Sequence, residues 1–434
     1  MTEVHVSLIN KGLGDPAVED DCYRAADRLE EAKALHAKYP LFDGHNDLPW
    51  ALHDGYGHRL SRVDLRENQK DTLVDGLRHR YMHTDIPRAR EGGMGAQFWS
   101  VYVPFSYQGG DAVQKTLEQI DVVHRLCEKY PETFEFACSA SEVRRIFAEG
   151  KIASVCGVEG GHQINDSLAV LRMYHRLGVR YMTLTHNGGP SWADPALNAD
   201  GTFLEEPKVG GLSPFGLEVV AEMNRLGMIV DISHVHEECM KVALAHTKAP
   251  VMFSHSSSKA LCAHPRDVSD DVLRLLQRNG GIVMINFAPN FIAGPFWVRG
   301  GKVGASLIEV ADHIDHIRDV CGGSCDHIGI GADYDGIKDV ARGLEDVSKV
   351  PYLTAELLQR GYSDEDIGKI LGLNAIRVLE ACEAVAKELA ASGAIASDKQ
   401  FCDVEPLVVG GEGAGAGAGA GAPVGAADAA SAGV

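Results

Sequence analysis

The stretch Leu41-Phe42-Asp43-Gly44-His45-Asn46-Asp47-Leu48-Pro49-Trp50 decides how the rest of the chain is read. A short apolar run, Tyr39 to Phe42, leads into it. His45 and Asp47 are two positions apart, and on an extended chain alternate side chains share a face. An imidazole and a carboxylate then point the same way at the end of a strand. That is half a site for a divalent metal such as zinc. A His-x-Asp pair is also an ordinary surface turn, so the weight falls on what the rest of the chain supplies.

Outward from this stretch the chain keeps a rhythm. Apolar, β-rich runs recur at 39–42, 97–103, 152–158, 179–184, 228–232, 251–253, 281–287 and 327–330. Between them, 112–130, 140–149, 166–177, 214–227, 236–247, 268–279 and 304–320 read as amphipathic helices. Near-continuous apolar runs suit strands buried on both faces of a parallel sheet. Eight strand–helix units predict a closed (β/α)8 TIM barrel, with a doubly wound open sheet as the alternative. No Gly-x-Gly-x-x-Gly follows the first run, which weighs against a dinucleotide fold.

The flanks read more simply. Residues 1–20 are expected to be an irregular arm, and 21–38 a helix. A polar segment follows the opening stretch through about residue 95, and its His53, His58, His79 and His83 are expected to be solvated. Downstream, 352–361 and 364–391 suit helices, with Ser363 as an N-cap. Residues 21–391 thus form one predicted barrel domain, and 392–434 an extension. From Gly410 that extension becomes a Gly/Ala tail with too little side chain to repay ordering, so disorder is expected.

Barrel active sites are built at the C-terminal ends of the strands. Here six of the eight runs end in metal-competent or proton-transfer residues: His45 and Asp47, Glu159 with His162, His186, His234, His255, and Asp333 with Asp335. One such residue is usually a turn or a hydrogen-bonded structural group; six on one barrel face point to a site. Neutral His and ionised carboxylates suit zinc without any Cys. A carboxylate can bridge two cations, and two cations acidify a water held between them, which is the logic of metal-assisted amide hydrolysis. Asp333 and Asp335 compete for one role. His162 suits a hydrogen-bonding group behind a ligand, and Asp231 and Glu345 suit structural partners. Trp192 either lines the pocket or packs beneath a loop. Arg266, in His264-Pro265-Arg266-Asp267, occupies a loop where an exposed, salt-bridging Arg is the ordinary expectation.

Composition narrows the class. The chain has 434 residues, 45% hydrophobic and 24% charged, as in ordinary globular proteins. A net charge of -20 argues against nucleic-acid binding and attraction to anionic membranes. No apolar run has the length of a transmembrane span, and neither a secretory signal nor a lipid-anchor tail is recognisable. The 10 cysteines follow no regular framework, Cys321 and Cys325 included, so free thiols and a cytoplasmic location are expected.

Several motifs resemble one family in collinear order, from about residue 40 to 385. They are Asp43-Gly44-His45-Asn46-Asp47-Leu48-Pro49, Gly157-Val158-Glu159-Gly160-Gly161-His162, Leu184-Thr185-His186-Asn187 with Trp192-Ala193-Asp194, Ser254-His255-Ser256-Ser257, and Arg342-Gly343-Leu344-Glu345-Asp346-Val347. The resemblance is to the membrane dipeptidase (renal dipeptidase) family. It implies an amidohydrolase-type barrel with two zinc ions per subunit, hydrolysing dipeptides to two amino acids through a metal-bridging hydroxide. It implies that His45 and Asp47 bind one zinc, His234 and His255 the other, and that Glu159 bridges them. It also implies that His186 and Arg266 hold the substrate and stabilise the oxyanion. Asp333 then contacts the substrate and carries a proton to the leaving amine, and the catalytic set is Asp333, His186 and Glu159. A homodimer is implied as well. The alternative activity is other amidohydrolase chemistry on the same two metals, such as β-lactam, lactone or Cys-Gly conjugate hydrolysis. The chain departs from some animal members in lacking a signal, an anchor and a recognisable cysteine pairing. Pro295 to Gly304 is an insertion that could reshape the pocket rim.

Overall fold

The structure, a computed structural model, describes residues 22–72, 82–294, 298–299 and 302–404. The arm at 1–20, His79, much of the insertion at 295–304 and the Gly/Ala tail therefore lie outside the described residues.

Eight parallel strands close into a ring. They are β1 (Leu41–Asn46), β2 (Met94–Tyr102), β4 (Ile152–Glu159), β5 (Val179–Thr183), β6 (Ile229–Asp231), β7 (Met252–Ser256), β8 (Ile282–Ile285) and β11 (Ile328–Ile330). Closure is made where β1 pairs β11 with Asp43 opposite Ile330, and where β2 pairs β4 along its length. This is the (β/α)8 barrel; the ring excludes the open doubly wound sheet. A ninth strand, β3 (Phe134–Phe136), adds in parallel to the start of β4. Two-residue strands β9 (Val298–Arg299) and β10 (Lys302–Val303) pair antiparallel before the helix that leads into β11.

The strands form here because both faces find apolar partners. Along β4, Ala153 and Val155 join one buried cluster, and Ile152, Cys156 and Val158 join the other. The first cluster also holds Phe42, Phe98, Tyr181, Ile282 and Met284, with Phe42 stacked on Phe98 at 4.6 Å. Gly157 and Glu159 continue the Ala153–Val155 parity, so Glu159 emerges at the top of the same file.

The helices between strands are α4 (Ala112–Lys129), α5 (Ala140–Ala148), α6 (Leu168–Arg176), α7 (Pro214–Leu226), α8 (Glu237–His246), α9 (Asp270–Asn279) and α11 (Leu307–Val320), each within a few residues of its expected place. α1 (Leu29–Lys38) is shorter than expected. The segment expected to be polar contains two further helices, α2 (Leu48–Tyr56) and α3 (Ile86–Glu91). A one-turn α10 (Pro289–Ile292) follows β8. After the barrel come α12 (Val350–Gln359), α13 (Asp364–Gly368), α14 (Asn374–Ala391) and the short α15 (Phe401–Val404). Ser363 caps α13, its Oγ accepting from Asp366 N at 3.1 Å. A π-helical turn at Lys369–Leu373 separates α13 from α14. It has a packing cause: a Cβ on Gly372 would sit 2.3 Å from the Pro40 carbonyl, so the backbone itself lies against the start of β1. Among the described residues no helix is long and apolar enough to cross a membrane.

Candidate active site

Every strand-end residue singled out above lies at the same end of the ring. Glu159, last residue of β4, is the hub. Its Oε1 lies 3.5 Å from His45 Nε2, 3.8 Å from His186 Nε2, 3.1 Å from His234 Nε2 and 3.4 Å from His255 Nε2. Asp47 Oδ2 is 3.3 Å and Asp333 Oδ1 4.0 Å from His45 Nε2. Ser100 of β2 donates to the other Glu159 oxygen at 3.3 Å.

The residues behind this cluster orient it. Ser254 Oγ donates to Asp231 Oδ2 at 2.6 Å, so it accepts from His255 Nδ1 at 2.8 Å. That fixes the His255 tautomer and leaves its Nε2 as a lone pair. Tyr181 OH meets His45 Nδ1 at 3.0 Å, and the His45 Nε2 is buried with no hydrogen-bond partner. Asp47 Oδ1 is likewise buried and unpartnered. His234 Nε2 and His255 Nε2 approach to 2.8 Å, a separation that needs a proton or a cation shared between them. Orphaned nitrogen and carboxylate atoms converging on one point, with no thiolate among them, fit a site for borderline cations of the zinc type.

The electrostatics agree. Burial, helped by the charge of Asp47, raises the Glu159 carboxyl, and burial, helped by Asp47 and Glu159, pushes Asp333 up to about 7. Burial opposes protonation of His45, yet Glu159 and Asp47 outweigh it and hold its pKa well above the ordinary value. Burial, with Arg266 and the other imidazoles, holds His234 and His255 well below theirs. Three of these residues have left-handed backbones: His234 at φ 64°, Asp333 at 67° and Asp335 at 63°. Such conformations cost of order 1 kcal/mol each in an L-residue and persist only where the surroundings hold them. Asp333 N donates to the His45 carbonyl at 3.1 Å, and Asp335 N to His83 Nδ1 at 3.0 Å.

Arg266 is not an exposed surface residue; it is 1% exposed and lines the cavity. Its Nη2 donates to the His255 carbonyl at 3.3 Å and its guanidinium lies 5.3 Å from the Phe291 ring. Asp333 and Asp335 are separated by their partners: Asn286 Nδ2 holds Asp333 Oδ2 at 3.0 Å, and Asp335 Oδ1 accepts from His83 N at 2.7 Å. His162 lies behind the site, 2.8 Å from the Val103 carbonyl. Asp231 and Glu345 are structural, the latter accepting from Gly343 N at 2.6 Å. Trp192 is fully buried and donates to Asp166, so it packs beneath a loop. The solvated reading of the early histidines does not hold for two of them. His53 and His83 are buried, because α2 and α3 fold over the ring instead of leaving a polar loop.

The cavity above the cluster measures about 330 Å³. Its wall includes Trp50, Tyr102 and Phe291, none singled out in the sequence. Asn286 was also missed, although an amide inside the apolar run 281–287 is a readable signal for a buried polar contact.

A closed barrel with a carboxylate among four imidazoles at its C-terminal rim defines a metallohydrolase. The chain belongs to the membrane dipeptidase family (peptidase family M19), whose model matches residues 29–393, and is a peptide-bond hydrolase. Dipeptidase verJ from Clonostachys rogersoniana is 41% identical over 379 residues, covering 85% of this chain and 90% of that protein. The probable dipeptidase PvdM from Pseudomonas aeruginosa shares the fold, with a TM-score of 0.70 at 23% identity over 83% of this chain and 100% of that one. A metallopeptidase from Rhodobacter sphaeroides, solved with a phosphinate mimic of the dipeptide L-Ala-D-Ala, gives a TM-score of 0.63 at 25% identity, covering 79% and 99%.

Proposed function

We propose that this protein hydrolyses unblocked dipeptides to two amino acids and holds two zinc ions per subunit. The observation that carries the reading is that Arg266, Glu159, three of its histidines (His186, His234 and His255) and Asp333 all line one cavity. His45 and Asp47 would hold one ion, His234 and His255 the other, and Glu159 both. Bound there, the ions polarise the scissile carbonyl and lower the pKa of a water.

The chain's own groups do the rest. Arg266 is a fixed cation whose planar fork suits a terminal carboxylate. His186, between Tyr102 and His234 at ring distances of 4.7 and 4.3 Å, stabilises negative charge growing on the carbonyl oxygen. Asp333, with a carboxyl near 7, takes a proton at Oδ1 and returns it to the leaving amine. The dipeptide mimic bound by the Rhodobacter relative supports the same substrate class. The 10 unpaired cysteines support a reducing compartment such as the cytoplasm, and the family resemblance drawn from the sequence motifs implies a homodimer, which sedimentation tests.

The test is a panel of L,L- and L,D-dipeptides, their N-acetyl and C-amide forms, tripeptides, a β-lactam and a lactone. Each is run on native, metal-stripped and zinc-restored protein. Unblocked dipeptides are expected to turn over only with metal present. Full activity in the stripped protein, or equal rates on N-acetyl dipeptides, would end this reading.

A further inference from the structure

We propose that His53, His58 and Glu118 form a separate, peripheral metal site that takes a zinc-like divalent transition cation and clamps α2 to α4. His53 Nε2 lies 3.3 Å and His58 Nε2 3.5 Å from Glu118 Oε2. The three ligand atoms all fall within 4.8 Å of one another. A zinc ion with bonds of 2.0–2.1 Å places tetrahedral ligands about 3.3–3.4 Å apart. The spacing matches, and it is the spacing of the catalytic cluster, where His45–Asp47 is 3.3 Å and His255–Glu159 is 3.4 Å. Two imidazoles and a carboxylate leave a coordination position open. The His58 and Glu118 side chains, 30% and 33% exposed, give an ion access from solvent.

Each donor is held in place. Gln114 Nε2 donates to Glu118 Oε1 at 2.8 Å, which leaves Oε2 to the histidines. The His53 ring stacks on Trp50 at 5.0 Å and 12°. α2 ends in two successive left-handed residues, Gly57 at φ 57° and His58 at φ 59°. This tight reversal brings the His58 ring edge-on to His53 at 3.9 Å. Lys115, one turn before Glu118, has its Nζ over the Tyr107 ring at 4.7 Å.

The location gives the site a consequence for the catalytic pocket. α2 starts directly after Asp47 and carries Trp50 into the cavity wall. An ion on His53 fixes the ring against which Trp50 stacks, and so fixes that wall. Occupancy therefore acts on KM and on thermal stability, and leaves kcat nearly unchanged.

The experiment is a zinc count. Metal-stripped wild type, His58→Gln and Glu118→Gln are reloaded with zinc, desalted and analysed by elemental mass spectrometry. The wild type is expected to hold one equivalent more than either variant, and cobalt(II) reloading to show the same difference in its visible bands. The difference, not the total, reads this site. In His58→Gln, kcat on a dipeptide stays within about twofold while KM rises. Equal counts in all three proteins overturn the proposal. So does a lost equivalent that takes hydrolysis with it, because that ion came from the catalytic cluster. Should neither variant fold, a wild-type count that saturates at two equivalents overturns it alone.

Discussion

Asp47 shows how much rests on one side chain. Its backbone N donates to the Tyr334 carbonyl at 2.9 Å, its Oδ2 faces His45, and its Oδ1 is buried without a partner. Asp47→Ala is expected to remove one zinc equivalent and lower kcat about 10³-fold, since a metal Lewis acid supplies several kcal/mol. The far-UV circular dichroism should not change; retained activity with one ion fewer would reject the two-metal reading. Arg266→Met keeps the buried volume and removes the fork. A charge-assisted hydrogen bond contributes roughly 1.5–3 kcal/mol, so KM for unblocked dipeptides should rise about 10- to 100-fold while C-amides are little affected. An unchanged KM with a lower kcat would move Arg266 from the carboxylate to the oxyanion. The clustered histidines and carboxylates at this scale were legible because each is a polar residue at the end of an apolar run. The walls were not: Trp50, Tyr102 and Phe291 read as ordinary core aromatics until the fold turns them to one cavity. Tyr181 was hidden for the same reason. Only the pairing of β4 with β5 and the bare Gly157 beside it bring the phenol beneath His45; a Cβ on Gly157 would lie 2.1 Å from the ring.

Among the elements, α11 gives the cleanest stability test. Ser306 and Glu309 form a reciprocal capping box at its N-terminus, with Ser306 N donating to Glu309 Oε2 at 2.8 Å. Ser306→Ala should destabilise by about 1 kcal/mol, read as a shift in the denaturant midpoint, with kcat unchanged. The eight barrel strands were legible because strands buried on both faces have continuous apolar runs. β3 was not, since its three residues, Phe134-Glu135-Phe136, carry too short a pattern and lean on β4 for their pairing. α2 and α3 were missed among charges and histidines. Both open with proline, Pro49 and Pro87, in the first helical turn, where its fixed φ starts a helix instead of breaking one. The π turn before α14 answers to Pro40 over three hundred residues away, and no local pattern encodes it.

For the molecule as a whole, buried neutral histidines set the acid limit. Burial brings His36 and His313 down to about 4. Each ring spends both nitrogens in the neutral form: His36 between the Gly92 carbonyl and Thr354, His313 between Ser258 N and the Ile292 carbonyl. At these two rings the folded chain binds fewer protons than the unfolded chain between about pH 4 and 6.5, and their contribution to stability falls as pH drops through that window. Each ring contributes up to roughly 3 kcal/mol, fully present above about pH 6.5. On acidification from 6.5 to 4 the thermal midpoint of metal-stripped wild type should fall relative to that of His313→Gln, the difference reading the contribution of this one ring. A constant difference between the two proteins across this range would show that the His313 ring escapes burial on protonation.

The seam between β1 and β11 has a consequence for biosynthesis. Asp43 Oδ1 accepts from Ala332 N, a contact between residues 289 apart, and His45 and Asp333 meet across the same seam. A nascent chain thus emerges carrying His45 and Asp47 long before the last strand exists. At 5–20 residues per second the wait is on the order of 15 to 60 s. During it the ribosome-bound fragment has no closed ring and no assembled centre. Activity therefore appears only at the end of synthesis, and a fragment released before β11 hydrolyses no peptide bond.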